Sequence, residues 1–147
     1  MRALWIPIAV FMGALLAFAA SAFADSRSTT YQVIVNPNNP TTAADREFLA
    51  DAFLKKATTW SSGETILPVD LPPGSPVRRQ FSEEVLHRSV AEVKSYWQQR
   101  IFSGRDVPPP ELDSDEDVVE YVLKHEGAVG YVSGAANLNG AKPVSVR

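Results

Sequence analysis

The chain contains no cysteine. That excludes a disulfide framework, a thiolate metal site and a cysteine nucleophile. Histidine is almost as scarce. Only His87 and His125 occur, and both fall near the ends of expected helices, where a protonated imidazole meets the negative pole of the helix dipole. Without a His-rich cluster or an HExxH pair, no zinc site is written in the sequence. The glycine motifs that cradle phosphates or expose a serine nucleophile are also missing, and Ser75 has no base evident in the sequence. The acidic run Asp113–Asp117 imitates the start of a calcium loop. However, Val118 stands where that loop needs glycine and Lys124 where it needs a final glutamate. Basic charge is not in excess either. Fourteen Lys and Arg face seventeen Asp and Glu, for a net charge of −3 and no basic stripe. Nucleic acid is therefore not an expected partner. The reading is a non-enzymatic protein with no catalytic residue, no metal and no cofactor.

What is present begins with a targeting signal. Arg2 precedes a nearly unbroken apolar stretch, Ala3–Ala20, and Ala22-Phe23-Ala24 forms an A-x-A cleavage site before polar Asp25-Ser26-Arg27-Ser28. Residues 1–24 are expected to be a cleaved secretory signal peptide and 25–30 a polar lead-in. Residues 31–147 are expected to form one domain, in a soluble protein of the periplasm.

Within that domain Tyr31–Val35 reads as a first strand, ended by the turn residues Asn36-Pro37-Asn38-Asn39-Pro40. Thr42 is expected to cap a helix with Asp45 three residues on, and Phe48, Leu49, Ala52 and Phe53 form its apolar stripe. Trp60 reads as a lid over the end of that helix. Thr65–Val69 is expected as a second strand. Ser89 and Glu92 form a capping box for a helix whose buried face is Val90, Val93, Trp97 and Ile101. Gly104 ends it, and Pro108-Pro109-Pro110 gives a stiff connector. Ser114 caps another helix, buried through Val118, Val119, Val122 and Leu123. Ala128–Val132 reads as a third strand and Pro143–Val146 as a short fourth. The alternation gives an α/β fold with a small sheet and flanking helices.

The stretch Ile66–Phe81 carries the expected binding edge. A short strand feeds Pro72-Pro73-Gly74, then Ser75 as N-cap and Pro76 at the first helical position. Val77, Phe81 and Val85 are expected on the buried face of this helix. Free backbone N–H groups at such a start attract anions. Arg78 and Arg79 lie in the same first turn.

Several segments in order resemble a known family. They are Val33-Ile34-Val35-Asn36-Pro37; Phe53-Leu54-Lys55-Lys56 with Trp60 and Gly63; Ile66–Asp70; Gly74-Ser75 with Phe81; Tyr96-Trp97; Phe102-Ser103-Gly104-Arg105 with Pro108-Pro109; and Gly127-Ala128-Val129-Gly130-Tyr131-Val132. The series resembles the type 2 periplasmic binding protein superfamily, near the phosphate-binding subunits of phosphate ABC transporters. The resemblance implies a single lobe of such a protein with a mixed sheet. It also implies that Ser75 matches the serine of a phosphate-contacting Ser-Gly-Thr segment. Pro76 and Val77 replace the glycine and threonine, and Leu71 replaces an arginine four residues before the serine.

The expected ligand is phosphate or another small oxyanion, received by Ser75 with the N–H groups of Val77 and Arg78. Arg78, Arg79 or Arg105 would add charge. One open lobe is expected to bind weakly alone, and a second copy in a homodimer or a partner surface would close the site. The expected partner is a membrane transporter or sensor subunit. The alternative is an interaction module that kept the fold and lost the ligand, presenting the Ser75 edge or the Pro108–Pro110 loop.

Overall fold

β1, Tyr31–Val35, is the central strand of the sheet. Its run of Val33, Ile34 and Val35 is buried on both faces, as its β-branched composition requires. The computed structural model describes residues 31–147. The expected signal peptide, 1–24, and lead-in, 25–30, lie outside the described residues. β1 pairs antiparallel with β4, Ala128–Ser133, and with β5, Lys142–Val146. β3, Leu67–Pro68, lies parallel to β4, and β2, Ala43–Ala44, parallel to β5. The resulting order is β2-β5-β1-β4-β3.

Four helices flank this mixed sheet: α1, Arg46–Phe53; α2, Pro76–Phe81; α3, Val90–Phe102; and α4, Asp115–Lys124. α2 continues without a break into a π-helical turn, Ser82–Leu86, and His87 ends it in the left-handed conformation. The core centres on Tyr131, whose ring stacks on Phe81 at 3.9 Å with an 8° interplanar angle. Phe53 meets both rings, so α1, α2 and β4 share one aromatic cluster. Trp60 packs against Phe48, and its Nε1–H donates to Gly127 O at 2.9 Å, which ties the end of α1 to the loop before β4. Among the described residues no helix is long and apolar enough to cross a membrane.

Several boundaries differ from the sequence reading. α1 starts after Asp45, not after Thr42, because Ala43 and Ala44 join the sheet as β2 and Ser145 N–H bonds Thr42 O. Asp45 caps only by backbone conformation, with no side-chain bond. The second strand shortens to Leu67–Pro68, since Thr65 turns back to bridge Thr59. On α3 the Ser89–Glu92 capping box forms as expected, but Ile101 is 51% exposed. Val93 and Trp97 alone are fully buried on that helix, and its last turn overhangs the fold. Along α2 and the π-helical turn that continues it, the inward stripe is Arg78, Phe81, Ser82 and Val85, with Val77 only half-buried.

Candidate functional site

Beyond β3 the chain turns twice and builds the expected binding edge. Asp70 N–H donates to Pro110 O at 2.9 Å and Leu112 N–H to Asp70 O at 2.8 Å, so residues 110–112 lie alongside Asp70. Ser75 N–H then closes a turn onto Pro72 O at 2.9 Å. Ser75 has the extended backbone of an N-cap, and its Oγ accepts from Arg78 N–H at 3.3 Å. Arg79 N–H bonds Ser75 O. Pro76 has no N–H, so Val77 carries the remaining first-turn amide, and it has no acceptor among the described residues.

Arg78 turns inward. Its Nη1 donates to Leu71 O and to Glu111 Oε1, both at 2.8 Å, and its Nη2 lies 3.8 Å from Asp70 Oδ2. Tyr131 Oη donates to Asp70 Oδ1 at 2.5 Å and accepts Leu71 N–H at 3.4 Å. Asp70 and Arg78 are 6% and 7% exposed, so their charges are set by each other and by few neighbours. Burial pushes the Asp70 carboxyl up, with Glu111 adding to it; Arg78 and the Tyr131 hydroxyl pull the other way without cancelling the rise. Burial by itself would lower Arg78, but Asp70 and Glu111 outweigh it and hold the guanidinium above its ordinary value. The Tyr131 hydroxyl is raised by burial and then by the Asp70 charge.

The same pair forms the floor of a groove of about 470 Å³ between α3 and the proline connector. Trp97, Ile101, Pro108 and Pro109 are among its walls, and Lys94 stands at its edge. Among the described residues no group of three His, Asp or Glu side chains could hold a metal ion.

The five expected ligand residues are only partly brought together. Ser75, Val77, Arg78 and Arg79 share the first turn of α2. Arg79 is exposed there, whereas the Arg78 side chain is engaged by Asp70, Glu111 and Leu71 O. Arg105 is exposed in the loop after α3, with its N–H on Arg100 O, and it makes no hydrogen bond or ion pair with the other four. Asp70, Glu111, Tyr131 and the groove were not visible in the sequence reading. The one local signal was Asp70 at a strand end, before a prolyl turn.

Known structures share this architecture. A phosphate ABC transporter substrate-binding protein from Clostridium perfringens, solved with bound phosphate, matches at TM-score 0.63 and 21% identity over 80% of this chain and 44% of its own. The fold is that of one lobe of a periplasmic binding protein. An ABC-type phosphate transport receptor from Vibrio cholerae matches the lobe at TM-score 0.61 and 20% identity, over 80% of this chain and 46% of its own. PstS from Borrelia burgdorferi matches at 0.61 and 14%, over 80% and 47%. The lobe thus spans less than half the length of the binding proteins it matches. No protein-family model matches it, and no curated protein does.

Proposed function

We propose that the chain is a secreted, non-enzymatic binding protein for phosphate or a comparable small oxyanion, working in the periplasm beside a membrane transporter. The observation that carries this reading is the start of α2. A serine cap, a proline without an N–H and the unpaired Val77 amide come together with the exposed Arg79. An anion there meets a hydrogen-bond donor, the positive end of the helix and an exposed cation. The likeness to phosphate-binding proteins supports the same choice of ligand.

Affinity follows from the openness of the lobe. One exposed charge at a helix start gains about 0.3–1 kcal/mol, and charged hydrogen bonds from the Val77 N–H and Arg79 add about 1.5–3 kcal/mol each, a total nearer the roughly 4 kcal/mol of millimolar binding than the roughly 8 kcal/mol of micromolar binding. The isolated lobe therefore binds phosphate in the millimolar range, and tight binding requires a second surface, from a partner subunit or a second copy. Isothermal titration of residues 25–147 with phosphate tests this. Saturable millimolar binding that Arg79→Ala weakens supports the reading, and the absence of heat at tens of millimolar phosphate (~) contradicts it.

A second reading rests on a separate observation. Ile101, Phe102 and Val107 are 51%, 90% and 61% exposed around the end of α3. Large apolar side chains grouped at one end of a fold suit a protein contact. In this reading the lobe is an interaction module that presents the Pro108–Pro110 side to a transporter or sensor. It predicts partner capture that survives Ser75→Ala and is lost on Phe102→Asp.

A further inference from the structure

The groove under α3 borders the Ser75 edge, sharing Pro73 and Arg78 with that turn, and has a different chemistry. Its floor holds two charges that are more than nine-tenths buried, Asp70 and Arg78, and both face into it. Among the described residues neither is fully hydrogen-bonded. Asp70 Oδ1 takes the Tyr131 hydroxyl, but Oδ2 accepts no hydrogen bond from a described residue, and Arg78 Nη2 pairs with it only by charge at 3.8 Å, beyond hydrogen-bonding distance. Glu111 binds Arg78 through Oε1 and reaches the groove as well. Lys94, at the edge, has no ion-pair partner among the described residues. The polar complement is thus two acids and two cations, set against walls of Trp97, Ile101 and proline.

Charge balance selects the ligand. A simple anion such as phosphate would meet Asp70 and Glu111, and a simple cation would meet Arg78 and Lys94. A neutral apolar molecule would cover Asp70 Oδ2 and Arg78 Nη2 without bonding them, which costs the desolvation of both. A molecule with one positive group, one negative group and an apolar body leaves no such penalty. The volume, about 470 Å³, lies within the range of about 300–1,000 Å³ usual for small-molecule sites. We propose that this groove binds a small zwitterion with an apolar body, of the kind an apolar α-amino acid represents. Its ammonium group faces Asp70 Oδ2 and Glu111, its carboxylate faces Arg78 Nη2 and Lys94, and its side chain lies along Trp97, Ile101 and Pro108. The site uses the Arg78 side chain, and neither Ser75, Val77 nor Arg79 lines it.

The test is a titration of the ¹⁵N-labelled protein with L-phenylalanine, followed by amide shifts and by the Trp97 indole signal. Three controls run beside it: phenethylamine, which keeps only the cation; 3-phenylpropanoate, which keeps only the anion; and phosphate. Saturable shifts centred on Lys94, Trp97 and Ile101 are expected, with each one-charge analogue weaker by about 10-fold or more. Lys94→Glu and Ile101→Asp change exposed positions and leave the fold intact by circular dichroism. Each weakens phenylalanine by about 10-fold while leaving phosphate shifts at Val77 in place. Equal binding of the one-charge analogues, saturable shifts from phosphate at Lys94, Trp97 or Ile101, or no saturable response to phenylalanine would each overturn the proposal.

Discussion

Tyr131 Oη lies 2.5 Å from Asp70 Oδ1, so the central residue of the aromatic core is also the hydrogen-bond donor to the buried carboxylate beneath the groove. One side chain thereby links the packing of the lobe to the electrostatics of its surface. Tyr131→Phe keeps the ring stacked on Phe81 but removes the donor to Asp70 and the acceptor of Leu71 N–H. The expected loss is about 1–3 kcal/mol, the cost of leaving buried polar groups unpaired. Urea unfolding read by circular dichroism measures it, and an unchanged midpoint would show that the hydrogen bond contributes nothing.

The raised Asp70 carboxyl makes a pH prediction of definite sign. Its folded-state value stands above the unfolded one, chiefly through burial. Its contribution to stability is therefore complete below about pH 4 and is lost as pH rises through the folded value. Asp70→Asn removes this titration. The stability of the native chain relative to that variant should fall as pH rises above about pH 4. A difference that stays constant as pH rises would mean that the buried carboxyl is not shifted.

Arg78 and Arg79 are neighbours with opposite roles. Arg78→Ala leaves Asp70 buried without its cation, at a cost of about 3–5 kcal/mol. Arg79 is exposed and has no ion pair among the described residues. Arg79→Ala should change stability by less than about 0.5 kcal/mol while weakening phosphate binding. Thermal melts of the two variants separate these effects, and equal destabilisation would contradict them.

Gly127 is required by a close backbone approach. A Cβ there would sit 2.0 Å from Thr65 O, and the same Gly127 provides carbonyl contacts to Leu67 N–H and Trp60 Nε1. Gly127→Ala must displace backbone, which other overpacked sites suggest costs about 1–3 kcal/mol. A melting temperature equal to that of the native chain would show that the loop yields freely.

The fold was largely legible because its elements carry local signals. The β-branched run at Val33–Val35, the Ser89–Glu92 box and the valines of α4 each match their structures. The buried face of α2 and the turn after it was legible in part: Phe81 and Val85 are buried as expected, and Val77 is only half-buried. Apolar spacing pointed to Val77, Phe81 and Val85, while the inward stripe begins with Arg78 and includes Ser82. A charged residue on a core face is identified by its partner, and here the partners are Asp70 and, 33 residues away, Glu111. Glu111 is brought there by the Pro110 and Leu112 backbone bonds to Asp70, which no local pattern reports. Ile101 failed for the converse reason. Its helical spacing is apolar, but among the described residues the last turn of α3 faces only the open groove and is left half exposed at Ile101.

The central claim is that the start of α2 receives an oxyanion. Its most direct test is a phosphate titration of the ¹⁵N-labelled chain, following the Val77 amide, which has no acceptor among the described residues. The account predicts a saturable shift at Val77 and its first-turn neighbours, with a dissociation constant in the millimolar range and loss of the response in Arg79→Ala. A Val77 amide that stays unmoved at tens of millimolar phosphate (~), or that moves identically in Arg79→Ala, would contradict it.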